Sequence, residues 1–289
     1  MSAPRLLFCI GAAKAGTTWL YDYLDTHPDC HLRGVKELHY FDGLDLGSMA
    51  WQRKDNQARL DRARTKLIAD PARAEHLQRQ VKDRAEWLQI QALGHADDAA
   101  YLAYLTAGRT GQKLVADITP AYALLSAERF RQMASLGDSR FLYILRDPLA
   151  RLWSHVRMNA TRKADGVPSL DDAARLLRRT INRREPGIAE RSDYAGTLAR
   201  LADAVPDRQS LIIPFETMLE GGIAQICDFL GIANRPADAQ RVIHRGTPLD
   251  LPDDLRAKAL RWLEPQYRAA QAQFGYLPEH WENPDSIAK

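Results

Sequence analysis

Three cysteines are all that 289 residues contain, and Cys9, Cys30 and Cys227 stand apart with no C-x-x-C among them. An odd, scattered set excludes a disulfide framework, offers no zinc spacing and suits a reducing compartment. Long apolar runs are missing as well. No stretch approaches the roughly 20 residues of a spanning helix, and the short apolar run after one early arginine reads as a buried strand rather than a signal peptide. The expectation is a cytoplasmic protein with no integral membrane segment. Net charge is only +3, with 27% charged and 45% hydrophobic residues, which argues for an ordinary globular chain and against a nucleic-acid coat. Repeats, low-complexity tracts and a linker are absent, so solenoids and arrays are excluded. His27, Cys30 and His31 lie close together, but Pro28 breaks the segment and no second cluster completes a tetrahedral set, so no metal site is expected.

What the chain does have is an apolar strand, Leu6 to Ile10, running into Gly11-Ala12-Ala13-Lys14-Ala15-Gly16 and then into the helical Thr17-Thr18-Trp19-Leu20. Apart from Lys14 only small side chains separate the two glycines, so the backbone N–H groups of this loop can close around an anion. The following helix adds four unpaired N–H groups and the positive end of its dipole. A nucleotide triphosphatase carries lysine directly after the second glycine, with a hydroxyl for magnesium next. Here Thr17 follows Gly16 and the only lysine lies inside the loop.

A second strand, Arg140 to Leu145, runs into Arg146-Asp147-Pro148-Leu149-Ala150-Arg151-Leu152-Trp153-Ser154. Pro148 suits a first helical turn and Asp147 its cap. Ser154 lies a little over two turns beyond Arg146, so a strand-end arginine and a helix hydroxyl can grip one phosphate from two sides, with bidentate geometry supplied by the guanidinium. From Arg140 to Arg184 there are eleven Lys or Arg against four Asp or Glu, a local charge of +7. No aromatic interleaving or nucleic-acid module accompanies it, so no nucleic-acid partner is expected.

Between these motifs, Val35-Lys36-Glu37-Leu38-His39-Tyr40-Phe41-Asp42 mixes charges with aromatics that should be buried, a costly composition unless the polar groups face a cleft. Glu37 and His39 are both candidates to take a proton from a hydroxyl, and a cationic loop nearby would keep a carboxylate ionised. Residues from about 47 to 112 read as a helical insertion broken at Asp70-Pro71 and at Gly94. Asp117, at the end of a further strand, is a candidate to contact an acceptor, or else caps a turn. Alternation of strands and helices predicts an α/β fold, a parallel sheet with helices on both faces and ligand beyond the strand ends.

The K-x-G-T-T-W of Lys14 to Trp19 is similar to the 5'-phosphosulfate loop of sulfotransferases that use 3'-phosphoadenosine 5'-phosphosulfate (PAPS). The R-D-P-x-x-R-x-x-S of Arg146 to Ser154 is similar to their 3'-phosphate motif. K-E-x-H-[YF]-F-D at Lys36 to Asp42 resembles a segment of glycan-type members. The chain therefore resembles the PAPS-dependent sulfotransferase family, of bacterial type with glycan-sulfotransferase features. That resemblance implies one P-loop-like domain over residues 1–289, with PAPS as donor, adenosine 3',5'-bisphosphate as product and no metal. It sets Lys14, Ala15, Gly16, Thr17 and Thr18 on the 5'-phosphosulfate, Arg146 and Ser154 on the 3'-phosphate, and Tyr194 on the nucleotide side. Trp19 would stack on adenine, although core packing explains it equally well, and Arg245 would close on the nucleotide from a basic tail loop. It favours Glu37 as base, with Lys36, His39 and Asp42 positioning acceptor or donor. Ile118 stands where glycan enzymes often carry lysine, which leaves the acceptor open among small-molecule, sugar and lipid hydroxyls. The rival readings are a P-loop kinase or other phosphotransferase, and a non-catalytic nucleotide-binding protein.

Overall fold

Runs of consecutive buried residues make the sheet. In β1 (Arg5–Gly11) every residue after the first is buried, as are all of β3 (Leu114–Ile118) and nearly all of β4 (Ser139–Leu145). Neighbouring side chains on a strand point to opposite faces, so burial of both sets means that helices cover both sides. With β2 (Cys30–His31) and β5 (Ser210–Pro214) the strands lie in the order β2-β3-β1-β4-β5, all parallel. The computed structural model describes residues 3–164, 167–237 and 249–281.

In chain order the helices begin with α1 (Thr17–Asp25) and the short α2 (Phe41–Asp45). Next come α3 (Met49–Ala69), α4 (Ala74–Ala92) and α5 (Asp98–Thr106), which form the insertion between β2 and β3. The chain breaks where the sequence predicts: at Asp70, with Pro71 opening a 3-10 turn, and at Gly94, whose φ of 72° is left-handed. α6 (Ala127–Ala134) leads to β4, and α7 (Pro148–Ala164) follows it. α7 starts on Pro148, with the Asp147 carboxylate accepting from the Ala150 N–H at 2.6 Å. α8 (Leu170–Ile181), the four-residue α9 (Pro186–Ala189) and α10 (Tyr194–Ala204) precede β5. After it come the three-residue α11 (Phe215–Thr217), then α12 (Ile223–Leu230) and α13 (Asp253–Phe274).

Phe8 packs on Phe41 and Phe141, and Tyr40, Phe41, Trp87, Tyr101 and Tyr122 continue this core as one aromatic cluster under residues 36–42. The chain builds β3 and β2 on one side of β1 and β4 and β5 on the other. The direction of winding therefore reverses at β1, and the loop leaving it opens between the ends of β3 and β4, where parallel sheets bind ligands.

Candidate active site

Lys14 sits in that loop with φ 73°, and Gly16, which caps α1, has φ 81°. A β-carbon on Gly16 would overlap the Phe215 ring just beyond β5, so this turn admits only glycine for two reasons, backbone conformation and contact. Ala12 N–H donates to the Ile144 carbonyl at 2.8 Å, tying the loop to the end of β4. The same strand ends at Arg146, whose guanidinium donates to the Lys14 carbonyl at 3.3 Å and lies 5.5 Å from the Phe215 ring centre. Burial pushes the Lys14 pKa below its ordinary value, and Arg146, Arg162, Arg157 and Lys36 push it further the same way. Neither Lys14 nor Arg146 forms an ion pair with a carboxylate among the described residues. Cations held together in this way are a standing repulsion that an anion relieves.

The 36–42 segment lies beyond the ends of β1 and β3. Leu38 N–H donates to Thr119 Oγ1 at 2.9 Å, and Thr119 N–H donates to the Cys9 carbonyl at 3.1 Å. Its polar side chains form a line: Lys36 Nζ is 2.7 Å from Glu37 Oε1, Glu37 Oε2 is 3.6 Å from His39 Nε2, and His39 Nδ1 is 2.7 Å from Asp42 Oδ2. Burial works against the Glu37 carboxylate, but the His39 contact and the Lys36 ammonium outweigh it and hold the group well below the usual carboxylate range. Burial likewise works against a charged His39, yet Asp42 and Glu37 raise its pKa from 6.5 to about 9. At neutral pH Glu37 is therefore a carboxylate and His39 an imidazolium. The Glu37 side chain is 42% exposed whereas that of Asp42 is 4%, so of the two carboxylates only Glu37 is open to an incoming hydroxyl.

The sequence model of the sulfotransferase family matches residues 4–236. The chain belongs to the sulfotransferase family. Among solved structures it is similar to a sulfotransferase from Alicyclobacillus acidocaldarius, with TM-score 0.64 and 19% identity over 98% of this chain and 100% of that one. A looser likeness, with TM-score 0.39 and 18% identity over 96% of each chain, is to the sulfotransferase domain of the Synechococcus PCC 7002 olefin synthase. No curated protein matches the sequence. The first likeness is one of fold: a parallel sheet flanked by helices.

Within this sulfotransferase the structure brings Lys14, Ala15, Gly16, Thr17 and Thr18 to one side of the strand ends beside Arg146, and Lys36, Glu37, His39 and Asp42 to the other. Ser154 lies half-buried on α7. Tyr194 is not at the cleft surface: its ring is fully buried, and its hydroxyl donates to the Arg146 carbonyl at 2.9 Å. It supports the arginine rather than meeting a nucleotide directly, because the start of α10 packs under the end of β4. Trp19 is 8% exposed and stacked on Tyr23 at 5.9 Å, which is a core position. Asp117 is a correction. It is 1% exposed and accepts from Tyr101, Tyr122 and Thr119, so it cannot touch an acceptor. The end of β3 lies beneath the 36–42 segment, which takes the surface instead. Ile118 is buried and adds no cation. Arg245 lies outside the described residues. His27 and His31 each bond a backbone carbonyl, of Ala233 and of Ala107 respectively, and no group of three or more His, Cys, Asp or Glu among the described residues could hold a metal ion.

Sequence reasoning missed Arg157 and Arg162, whose charge reaches Lys14. Part of the signal was present, since Arg157 follows Ser154 by three residues on the same face of α7. Phe215 carried no such signal: it meets Gly16 only because β5 lies beside β4.

Proposed function

We propose that this sulfotransferase moves a sulfuryl group from PAPS to a hydroxyl acceptor and releases adenosine 3',5'-bisphosphate. The observation that carries the reading is the meeting of half-buried Lys14 and Arg146 at one loop, without carboxylate partners among the described residues, opposite the exposed carboxylate of Glu37. A donor with phosphates at both ends of a ribose fits two cations spread along such a loop, and glycine at position 16 lets backbone N–H groups approach it. Arg146 and Ser154 hold the 3'-phosphate, and Lys14 with the loop from Ala15 to Thr18 holds the 5'-phosphosulfate.

Glu37 takes the acceptor hydroxyl's proton as that oxygen bonds to sulfur and the bond from sulfur to the bridging phosphate oxygen breaks. Lys14 and the loop N–H groups meet the negative charge that grows on the departing oxygen. His39, already protonated between Glu37 and Asp42, has no free lone pair for a proton at neutral pH, so it orients Glu37 instead. Lys36 keeps that carboxylate ionised. No residue in this scheme calls for a metal. The acceptor is a small-molecule, sugar or lipid hydroxyl, residues 1–289 act as one catalytic domain, and the free thiols of Cys9, Cys30 and Cys227 suit the cytoplasm.

Titration calorimetry with adenosine 3',5'-bisphosphate, adenosine 5'-monophosphate and magnesium ATP tests the donor. Binding that needs the 3'-phosphate, and that weakens by roughly 1.5 to 3 kcal/mol in Arg146→Ala, supports PAPS. Equal or tighter binding of magnesium ATP overturns it in favour of a kinase. Full physiological activity in Glu37→Gln would point to a nucleotide-binding protein without catalysis.

A further inference from the structure

Glu37 and His39 both hold left-handed backbone, with φ 63° and 53°, a conformation that side chains other than glycine keep only where their surroundings over-determine it. Between them Leu38 has both backbone polar groups engaged. Its N–H donates to Thr119 Oγ1 at 2.9 Å, and Trp87 Nε1 of α4 donates to its carbonyl at 3.1 Å. Beyond His39, Tyr40 N–H donates to the Tyr122 hydroxyl at 3.2 Å.

A peptide N–H only donates, so the Thr119 and Tyr122 oxygens accept there and their own protons must point elsewhere. Both point to Asp117: Thr119 Oγ1 is 2.6 Å from Oδ1, and the Tyr122 hydroxyl 2.7 Å from Oδ2, where Tyr101 adds a third donor at 2.7 Å. A carboxylate in the core is costly, and no cation pairs with it among the described residues. An apolar residue would pack there at less cost. What the carboxylate adds is direction, since it fixes the rotation of two hydroxyls whose lone pairs then hold two amides.

We propose that Asp117, acting through Thr119 and Tyr122, is the positioning residue for the Glu37 to His39 segment and sets the geometry of the base without touching any ligand. The proposal rests on Glu37 as the base. It assigns to the β3 end a part in the reaction that neither the phosphate motifs nor the 36–42 segment accounts for. Thr119 and Tyr122 transmit the order of the core to the strained turn, and Trp87 clamps the same turn from the insertion.

Thr119→Val keeps the shape and removes the hydroxyl, whereas Thr119→Ser keeps the hydroxyl. In the folded variants, kcat for sulfuryl transfer, the affinity for adenosine 3',5'-bisphosphate and the NMR titration of His39 are measured beside thermal unfolding. Thr119→Val is expected to lose about a hundredfold in kcat, as small misplacements of catalytic groups do, with nucleotide affinity unchanged. The His39 midpoint should fall from about 9 towards 6.5, and Thr119→Ser should restore most of both. Asp117→Asn should act in the same direction; if it does not fold, Thr119→Val still decides. A Thr119→Val protein that only melts earlier, with kcat and the His39 midpoint unchanged, overturns the proposal. If the unaltered chain neither binds the bisphosphate nor transfers sulfate, it is the functional reading that fails, and the His39 titration by itself decides the positioning.

Discussion

Replacing Lys14 by Ala removes the one side-chain cation inside the loop, and its cost separates binding from chemistry. If the ammonium meets charge that grows only in the transition state, kcat falls by on the order of a hundredfold, about 3 kcal/mol. Binding of adenosine 3',5'-bisphosphate falls less; equal losses in both would reduce Lys14 to a binding residue. His39 gives a second measurement on single residues. Its pKa, raised to about 9 by Asp42 and Glu37 against burial, is expected to appear as an imidazole NMR midpoint near that value, and Asp42→Asn should bring it down. The linkage to stability has a definite sign. A raised imidazole pKa stabilises the fold fully below about 6.5 and loses that contribution as pH rises through 9. The depressed Glu37 carboxylate contributes above its ordinary value near 4.5 and loses it as the solution is acidified. Urea midpoints should therefore be highest between these limits, and Asp42→Asn should flatten the alkaline side.

Among the elements, β1 with its loop and β4 running into α7 were legible because each carries a local pattern: an apolar run, then glycine and lysine, or arginine, aspartate and proline in order. Glu37 stood out by its composition, a charge among aromatics. The residues alone left Glu37 and His39 both open and only the resemblance favoured Glu37, because what distinguishes them is Asp42 lying 2.7 Å from the imidazole, a distance set by the turn. Asp117 misled, because the end of a parallel strand is where ligands are met, yet here the 36–42 segment lies over it. The insertion was read as helical from its breaks, but its purpose lies in contacts distant in sequence. α4 grips residues 32–38: Arg33 pairs with Asp83 at 2.7 Å and with Glu86, Gly34 N–H donates to Asp83 at 2.6 Å, and Trp87 reaches Leu38. The insertion thus clamps the turn that carries Glu37. Breaking a buried pair costs about 3 to 5 kcal/mol. Asp83→Ala should fall at the lower end because Glu86 still faces Arg33, and chemical denaturation measures it. A loss under 1 kcal/mol would mean that the clamp contributes little to the fold.

On the scale of the whole molecule the decisive feature is uneven charge. A chain of net charge +3 gathers Lys14, Lys36, Arg146, Arg157 and Arg162 around the end of one sheet, because the reversal of winding at β1 brings the loops after β1 and β4 side by side. The ligand-free fold bears that repulsion, so a polyanion bound there should stabilise the entire chain and not the loop alone. At a hundredfold excess over its dissociation constant a ligand adds about 2.7 kcal/mol to unfolding, which for a domain of this size is roughly 5 °C in Tm. Adenosine 3',5'-bisphosphate should give that shift by differential scanning calorimetry at concentrations where adenosine 5'-monophosphate gives almost none. On the proposed assignment of Arg146 to the 3'-phosphate, Arg146→Ala should bring the two nucleotides together. Added salt should shrink the shift by screening the charges, less for half-buried Lys14 than for exposed arginines. If both nucleotides raise Tm equally in the unaltered chain, the 3'-phosphate is not read at Arg146, and the assignment of that residue and of Ser154 falls together.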